Sequence, residues 1–155
     1  MLGWREWIAL PDLGIGVGDG IEQIKAKVDT GAATSALHAL DIETFRKRGA
    51  DWVRFTTQPV QRASEPRLRL EAPLVESKRV RSSTGHLDER YTIRTTIAVA
   101  GVEAEVELTL ADRSAMQFRM LLGRRALKGR FLVDPGRSFQ AGKWRGKRTK
   151  PEATA

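Results

Sequence analysis

The amino-acid sequence predicts an all-β fold, a barrel or sandwich of short strands with one or two short helices, and three observations lead there. Residues 91 to 110, YTIRTTIAVAGVEAEVELTL, alternate apolar and polar side chains on both sides of Ala100-Gly101. That is the period of two half-buried strands joined by a tight turn. Weaker alternation recurs along the chain, cut into short pieces by Gly and Pro. Apolar residues at helical spacing are scarce, which argues against helix-on-helix packing.

In chain order, LGIGVGDG at 13 to 20 places glycines at alternate positions, but IEQIKAKVD follows it. A dinucleotide fingerprint would need a strand before it and a helix after it, so this segment reads as a hairpin loop. Ile24, Ala26 and Val28 alternate with Lys25 and Lys27 and predict a strand that runs into Asp29. His38 lies in the next apolar-alternating stretch and reads as a hydrogen-bonded structural residue. DIETFRKRG at 41 to 49 has the spacing of a short helix. Val53 and Phe55 predict a strand, and RLRLEAPL at 67 to 74 another. In the long hairpin, Tyr91, Ile93, Thr95, Ile97 and Val99 share one face, and Val102, Ala104, Val106, Leu108 and Leu110 alternate with Glu103, Glu105 and Glu107. RMLLG at 119 to 123 and RFLVD at 130 to 134 predict short strands, and RRALKG at 124 to 129 the second short helix.

The chain of 155 residues has room for one sizeable core, expected over 1 to 140, and not for two. Residues 141 to 155 read as a basic, flexible tail in which Lys143, Arg145, Lys147, Arg148 and Lys150 face only Glu152. Trp144 is the lone aromatic among those charges, so a solvated extension is expected there and a nucleic-acid partner is not. The net charge of +8 still admits anionic partners. With no cysteine there is neither a disulfide nor a thiolate metal site, which fits a reducing, cytoplasmic setting. No apolar run approaches membrane-spanning length, and no membrane partner is expected.

Catalytic motifs are few. His38 and His86 lack the spacing of a zinc site, no GxxxxGK[ST] segment exists to cradle ATP phosphates, and no serine has a GxSxG setting. Ser35 lies near Asp29, but the local histidine, His38, belongs to the same expected strand, which argues against a hydrolytic triad. That leaves Asp29 in KVDTGAATSAL at 27 to 37, preceded by apolar and followed by small residues.

VDTGA at 28 to 32 with Thr34-Ser35, together with MLLGRRAL at 120 to 127, resembles the retropepsin-like aspartic endopeptidases. The bacterial branch catalogued as ATP-dependent zinc proteases is the nearest likeness, from GWREWIALPDLGI to GRFLVDPGRSF. The resemblance implies a closed acid-protease barrel, with Asp29, Thr30 and Gly31 catalytic and Leu122, Gly123 and Arg124 packed behind them. It also implies substrate contacts from Ala32 and from a flap at 79 to 90 carrying Ser82, Ser83, Gly85 and His86. No metal and no cofactor are implied, despite the catalogue name. In the viral enzymes an acidic residue two positions after the motif glycine pairs with the arginine; here Ala33 stands there, so Arg124 needs another partner.

Aspartic proteolysis needs two carboxylates sharing one proton, and this chain has a single D-T-G. Asp112, in LADRS, lacks the following Thr-Gly. The expectation is therefore a twofold homodimer that cuts a peptide or protein substrate by a water activated between two Asp29 side chains. The alternative is a non-catalytic module that keeps the fold and binds a peptide or an anion. Neighbourhood to ATP-grasp glutamate ligases is a further implication of the resemblance.

Overall fold

The computed structural model describes residues 1–17, 22–81 and 84–143. Its strands are β1 (Arg5–Ile8), β2 (Ile24–Val28), β3 (Ser35–His38), β4 (Leu40–Lys47), β5 (Ala50–Thr57), β6 (Leu68–Arg81), β7 (Leu87–Val99), β8 (Val102–Ala111) and β9 (Met120–Leu122). Among the described residues the single α-helix is one turn, α1 (Arg124–Leu127), and a 3-10 turn covers Pro11–Leu13. No helix among them is long and apolar enough to cross a membrane. The strands form one sheet in the order β1-β2-β9-β3-β8-β7-β6-β5-β4.

The hairpin expected at 91 to 110 is the centre of that sheet. β7 and β8 pair antiparallel from Tyr91 opposite Leu110 to Val99 opposite Val102. Ala100 and Gly101 turn the chain with φ of 53° and 74°, the positive values a two-residue loop needs to match strand twist. Ile93, Ile97, Val99, Leu108 and Leu110 enter the core, while Glu103, Glu105 and Glu107 face solvent. Phe55, Ile8, Ile24, Leu37 and Met120 complete the same core.

Three expectations are corrected. Residues 41 to 49 are not helical: β4 pairs with β5 from Glu43 opposite Arg54 to Lys47 opposite Ala50. Arg48 and Gly49, at φ of 53° and 79°, return the chain at once. Arg54 lies 4.5 Å over the Phe45 ring and Lys47 4.4 Å over Trp52, contacts that outweigh the helical spacing of Ile42 and Phe45. The strand expected at 130 to 134 is reduced to one bridge, Val133 to Leu2. The barrel is not closed: β1 and β4 remain edges. The sheet curls far enough that Ala9 and Ala98 exchange two backbone hydrogen bonds, of 3.0 and 2.9 Å, but β4 ends in exposed charged side chains that suit an unpaired edge.

Among the described residues two titratable side chains, Glu6 and His38, are fully buried. The Glu6 carboxylate, fully buried, accepts the backbone N–H groups of Gly3 (2.6 Å), Gln140 (2.9 Å) and Ala141 (3.1 Å). The expected boundary between body and tail at 140 and 141 thus falls on a strap across β1. Residues 144–155, the remainder of the expected tail, lie outside the described residues. His38, also fully buried, accepts the Arg113 N–H at Nδ1 (2.9 Å), which leaves Nε2 to donate to Gln58 Oε1 (2.8 Å). The neutral ring satisfies both partners.

Burial holds the His38 pKa below its ordinary 6.5; Gln58 and Asp112 act against the shift, and the Arg119 and Arg113 guanidiniums add to it. The unfolded chain therefore takes up a proton that the folded chain resists. Stability is expected to fall as pH drops below about 6.5, by up to roughly 1.4 kcal/mol per pH unit from this site, until the folded-state value is reached. Urea denaturation between neutral and mildly acid pH measures the slope, and a midpoint that stays constant over that range would refute it.

Candidate active site

Strand order positions the D-T-G segment. β2 and β3 follow each other in the chain but are not neighbours, because β9 lies between them, parallel to β2 and antiparallel to β3. Residues 29 to 34 must therefore arch across the end of β9, over Leu122 and Gly123.

Four hydrogen bonds fasten the arch. Asp29 N–H donates to the Leu122 carbonyl (2.8 Å), Arg124 N–H to that of Ala32 (2.7 Å) and Arg125 N–H to that of Ala33 (3.1 Å). Gly123 N–H donates to Ser35 Oγ (2.9 Å), a buried hydroxyl. A Cβ on Gly123 would run into the Thr34 carbonyl oxygen and stand 2.8 Å from that of Ala32. Its φ of −97° is open to any residue, so space demands glycine here, not backbone conformation.

Within the arch, Gly31 N–H donates to Asp29 Oδ1 (2.9 Å), and Ala32 N–H to the Asp29 carbonyl (3.2 Å). This local turn is one that aspartate forms readily, and it fixes one carboxylate oxygen. A Cβ on Gly31 would crowd that oxygen at 3.1 Å. Asp29 is half-buried and Ala32 is too, while Thr30, Gly31, Ala33 and Thr34 form an exposed crest. Arg124 has found its partner in a carbonyl: Nη1 donates to Thr30 O (3.0 Å) and so ties the crest to α1.

Asp29 is the one carboxylate of the arch. β3 and β8 run parallel, with Ser35 opposite Leu108 and His38 opposite Ala111, so Asp112 lies at the far end of β3. The Ser114 hydroxyl (2.6 Å) and backbone N–H (2.9 Å) hold the Asp112 carboxyl below its ordinary range. It serves a local turn and is not a second acid for Asp29.

The β6–β7 hairpin brings Gly85, at φ of 88°, and His86 to an exposed turn where Arg81 Nη1 donates to the Gly85 carbonyl (3.3 Å). Ser82 and Ser83 lie outside the described residues. Among the described residues no hydrogen bond or ion pair joins Gly85 or His86 to the arch. A groove of about 710 Å³ runs from Thr34 beside the arch past Ala36, Thr109 and Thr92 to Lys78 and Arg90, and neither Gly85 nor His86 lines it. Lys78, Arg90, Arg94, Arg113, Arg125 and Arg130 line it against Glu76, Glu105 and Glu107, which makes it electropositive. A second, mainly apolar depression adjoins the crest and joins Thr30, Ala33 and Arg124 to Leu127, Phe131, Leu132 and Val133; Leu132 is 74% exposed.

Sequence reasoning passed over Ser35 as a hydrogen-bond partner and Arg125 as a tie to the arch. A hydroxyl a few residues past D-T-G was the available signal for Ser35; Arg125 acts through its backbone N–H, which its side chain does not signal.

Comparison with known proteins bears on the same residues. The RimB-like family, described as retropepsin-like aspartic endopeptidase RimB, matches residues 1–143. A protein named "Probable alpha-L-glutamate ligase" from Shewanella halifaxensis is 42% identical over 142 residues, which is 92% of this chain and 30% of that protein. One of the same name from Parasynechococcus marenigrum is 43% identical over 142 residues, 92% of this chain and 29% of that protein. The chain thus spans less than a third of the length of these curated relatives. A crystal structure of a Legionella pneumophila protein of unknown function is similar in fold, with a TM-score of 0.73 at 24% identity, covering 90% of this chain and 96% of that one. With a family match that takes in the whole D-T-G arch and its Leu122-Gly123-Arg124 seat, this chain belongs to the RimB-like family of retropepsin-like aspartic endopeptidases.

Proposed function

We propose that two copies of this chain form an aspartic endopeptidase, each supplying one Asp29. The observation that carries this reading is the setting of Asp29. Its carboxylate is held by Gly31 N–H within an arch fastened to β9 and α1, and the crest around it is exposed. An acid positioned with this care and left beside open surface is half of a centre.

A twofold axis between the crests would bring the two carboxylates together. Close together they cannot both ionise, so the pair holds one proton and titrates as a unit. The ionised member takes a proton from water as its oxygen attacks the peptide carbonyl, and the protonated member gives its proton to the developing oxyanion. Collapse of the tetrahedral intermediate breaks the C–N bond, with a proton delivered to the departing amine. Thr30 and Gly31 lie where the two crests would meet. The apolar depression with exposed Leu132 supports pairing on this face, since burying such a side chain is worth roughly 1.5–3 kcal/mol.

The electropositive groove beside the arch fits an extended acidic peptide, with side chains alternating toward its cations. Relatives named as alpha-L-glutamate ligases carry a matching segment, which supports a substrate bearing glutamate residues. The same groove favours the second reading, a module that binds acidic peptides without cutting them.

Asp29→Asn is expected to lower cleavage of an unfolded protein or a glutamate-rich peptide by at least about 100-fold while leaving the fold intact. Mass spectrometry of the products checks it; peptide binding that persists with no cleavage in either the parent or the variant would establish the module instead. Leu132→Glu is expected to raise the dimer dissociation constant by tenfold or more, about 1.4 kcal/mol or above, and to reduce activity in step. Sedimentation at several concentrations reads the first effect, and full activity from a monomeric species would overturn the paired centre.

A further inference from the structure

The β1–β2 edge carries a second charged surface that the Asp29 reading does not use. Arg5 and Trp7 point to the outer side of β1, and Lys25 and Lys27 to the outer side of β2. The register sets Arg5 opposite Lys27 and Trp7 opposite Lys25. Phe139 stacks on Trp7 with centroids 5.5 Å apart and an interplanar angle of 22°. Around these rings stand Arg5 (5.0 Å from the Phe139 centroid), Lys25 (5.4 Å from Trp7) and Lys143 (4.7 Å from Trp7).

On the β4–β5–β6 surface and along the β6–β7 hairpin, several cations are neutralised by carboxylates: Arg46 by Asp51, Arg54 by Glu71, Arg69 by Glu43, Arg79 by Glu89. On this edge Lys143 pairs with Glu22, but Arg5, Lys25 and Lys27 have no ion-pair carboxylate among the described residues. Arg5 and Lys25 lie against aromatic faces, which attract a cation without cancelling its charge. Like charges directly opposite across two strands cost stability, and Arg5 and Lys27 are so placed.

We propose that this face binds single-stranded nucleic acid. Unpaired cations beside partly exposed rings offer phosphates a positive track, and a base would stack on Trp7 by displacing the Lys143 ammonium that lies 4.7 Å from its centroid. An acidic polypeptide would use the charge but gain nothing from the rings. The tail alone, with its single aromatic, argued against such a partner; the fold changes that argument by setting Trp7 and Phe139 beside Arg5, Lys25 and Lys143.

The test is fluorescence anisotropy of a labelled single-stranded oligonucleotide of about twenty nucleotides, in uridine and thymidine forms, titrated with the full chain at rising salt. Binding is expected to weaken with salt. In Lys25→Glu/Lys27→Glu it should fall by at least about tenfold, with a logarithmic salt slope shallower by roughly 1.4, the share of two phosphate contacts. Circular-dichroism melts confirm that this surface variant folds. Trp7→Leu, if folded by the same measure, should lose a further several-fold through stacking. No binding by the parent would overturn the proposal, as would an affinity unchanged in Lys25→Glu/Lys27→Glu. Affinity that responds to Arg145→Glu/Arg148→Glu alone would place binding on the tail and also overturn it. So would displacement by a glutamate oligopeptide at equal concentration, which would mark the face as a site for acidic polypeptide.

Discussion

The close approach of two backbones at Gly123 is the contact on which the candidate centre depends. β9 can slot between β2 and β3 only if the chain joining them passes over its end, and that passage leaves no room for a side chain at 123. Once the backbones touch, the partners follow: carbonyls 32 and 33 meet the N–H groups that open α1, and Ser35 meets Gly123 N–H. The position of Asp29 is thus a result of sheet order as much as of its own sequence.

That dependence explains what could be read in advance and what could not. The 91 to 110 hairpin was legible because its alternation is long and its turn residues carry their own backbone preference. D-T-G and Leu122-Gly123-Arg124 were legible as a pair through resemblance, but the partner of Arg124 was not. A guanidinium that lacks its usual carboxylate can take any nearby carbonyl, and only the folded arch selects that of Thr30. Residues 41 to 49 misled because Ile42 and Phe45 fit a helix face locally, whereas the stabilising contacts, with Arg54 and with the β5 backbone, are not local. Closure of the sheet likewise depends on edges distant in sequence, so alternation could suggest a barrel without showing whether its rim would meet.

Charge on this molecule is organised by what stands next to it. On the β4–β5–β6 surface, Arg54 and Arg69 lie against Glu71 and Glu43, and such exposed pairs contribute little to stability while keeping the local field small. In the groove beside the arch cations outnumber carboxylates, and on the β1–β2 edge they rest on aromatic rings. Among the described residues positive charge thus gathers at two places, one adjoining Asp29 and the other on the outer side of the strand that leads to it.

The Glu6 carboxylate has a consequence for how the polypeptide can be cut or joined. Its three backbone donors come from Gly3 at one terminus and from Gln140 and Ala141 near the other, and the acid itself has no access to water. A shortened version ending before Gln140 would leave the Glu6 side chain with one of its three backbone donors and take away the strap that lies against it. Any tag, fusion joint or truncation point compatible with the native packing has to leave both of these clasping segments in place.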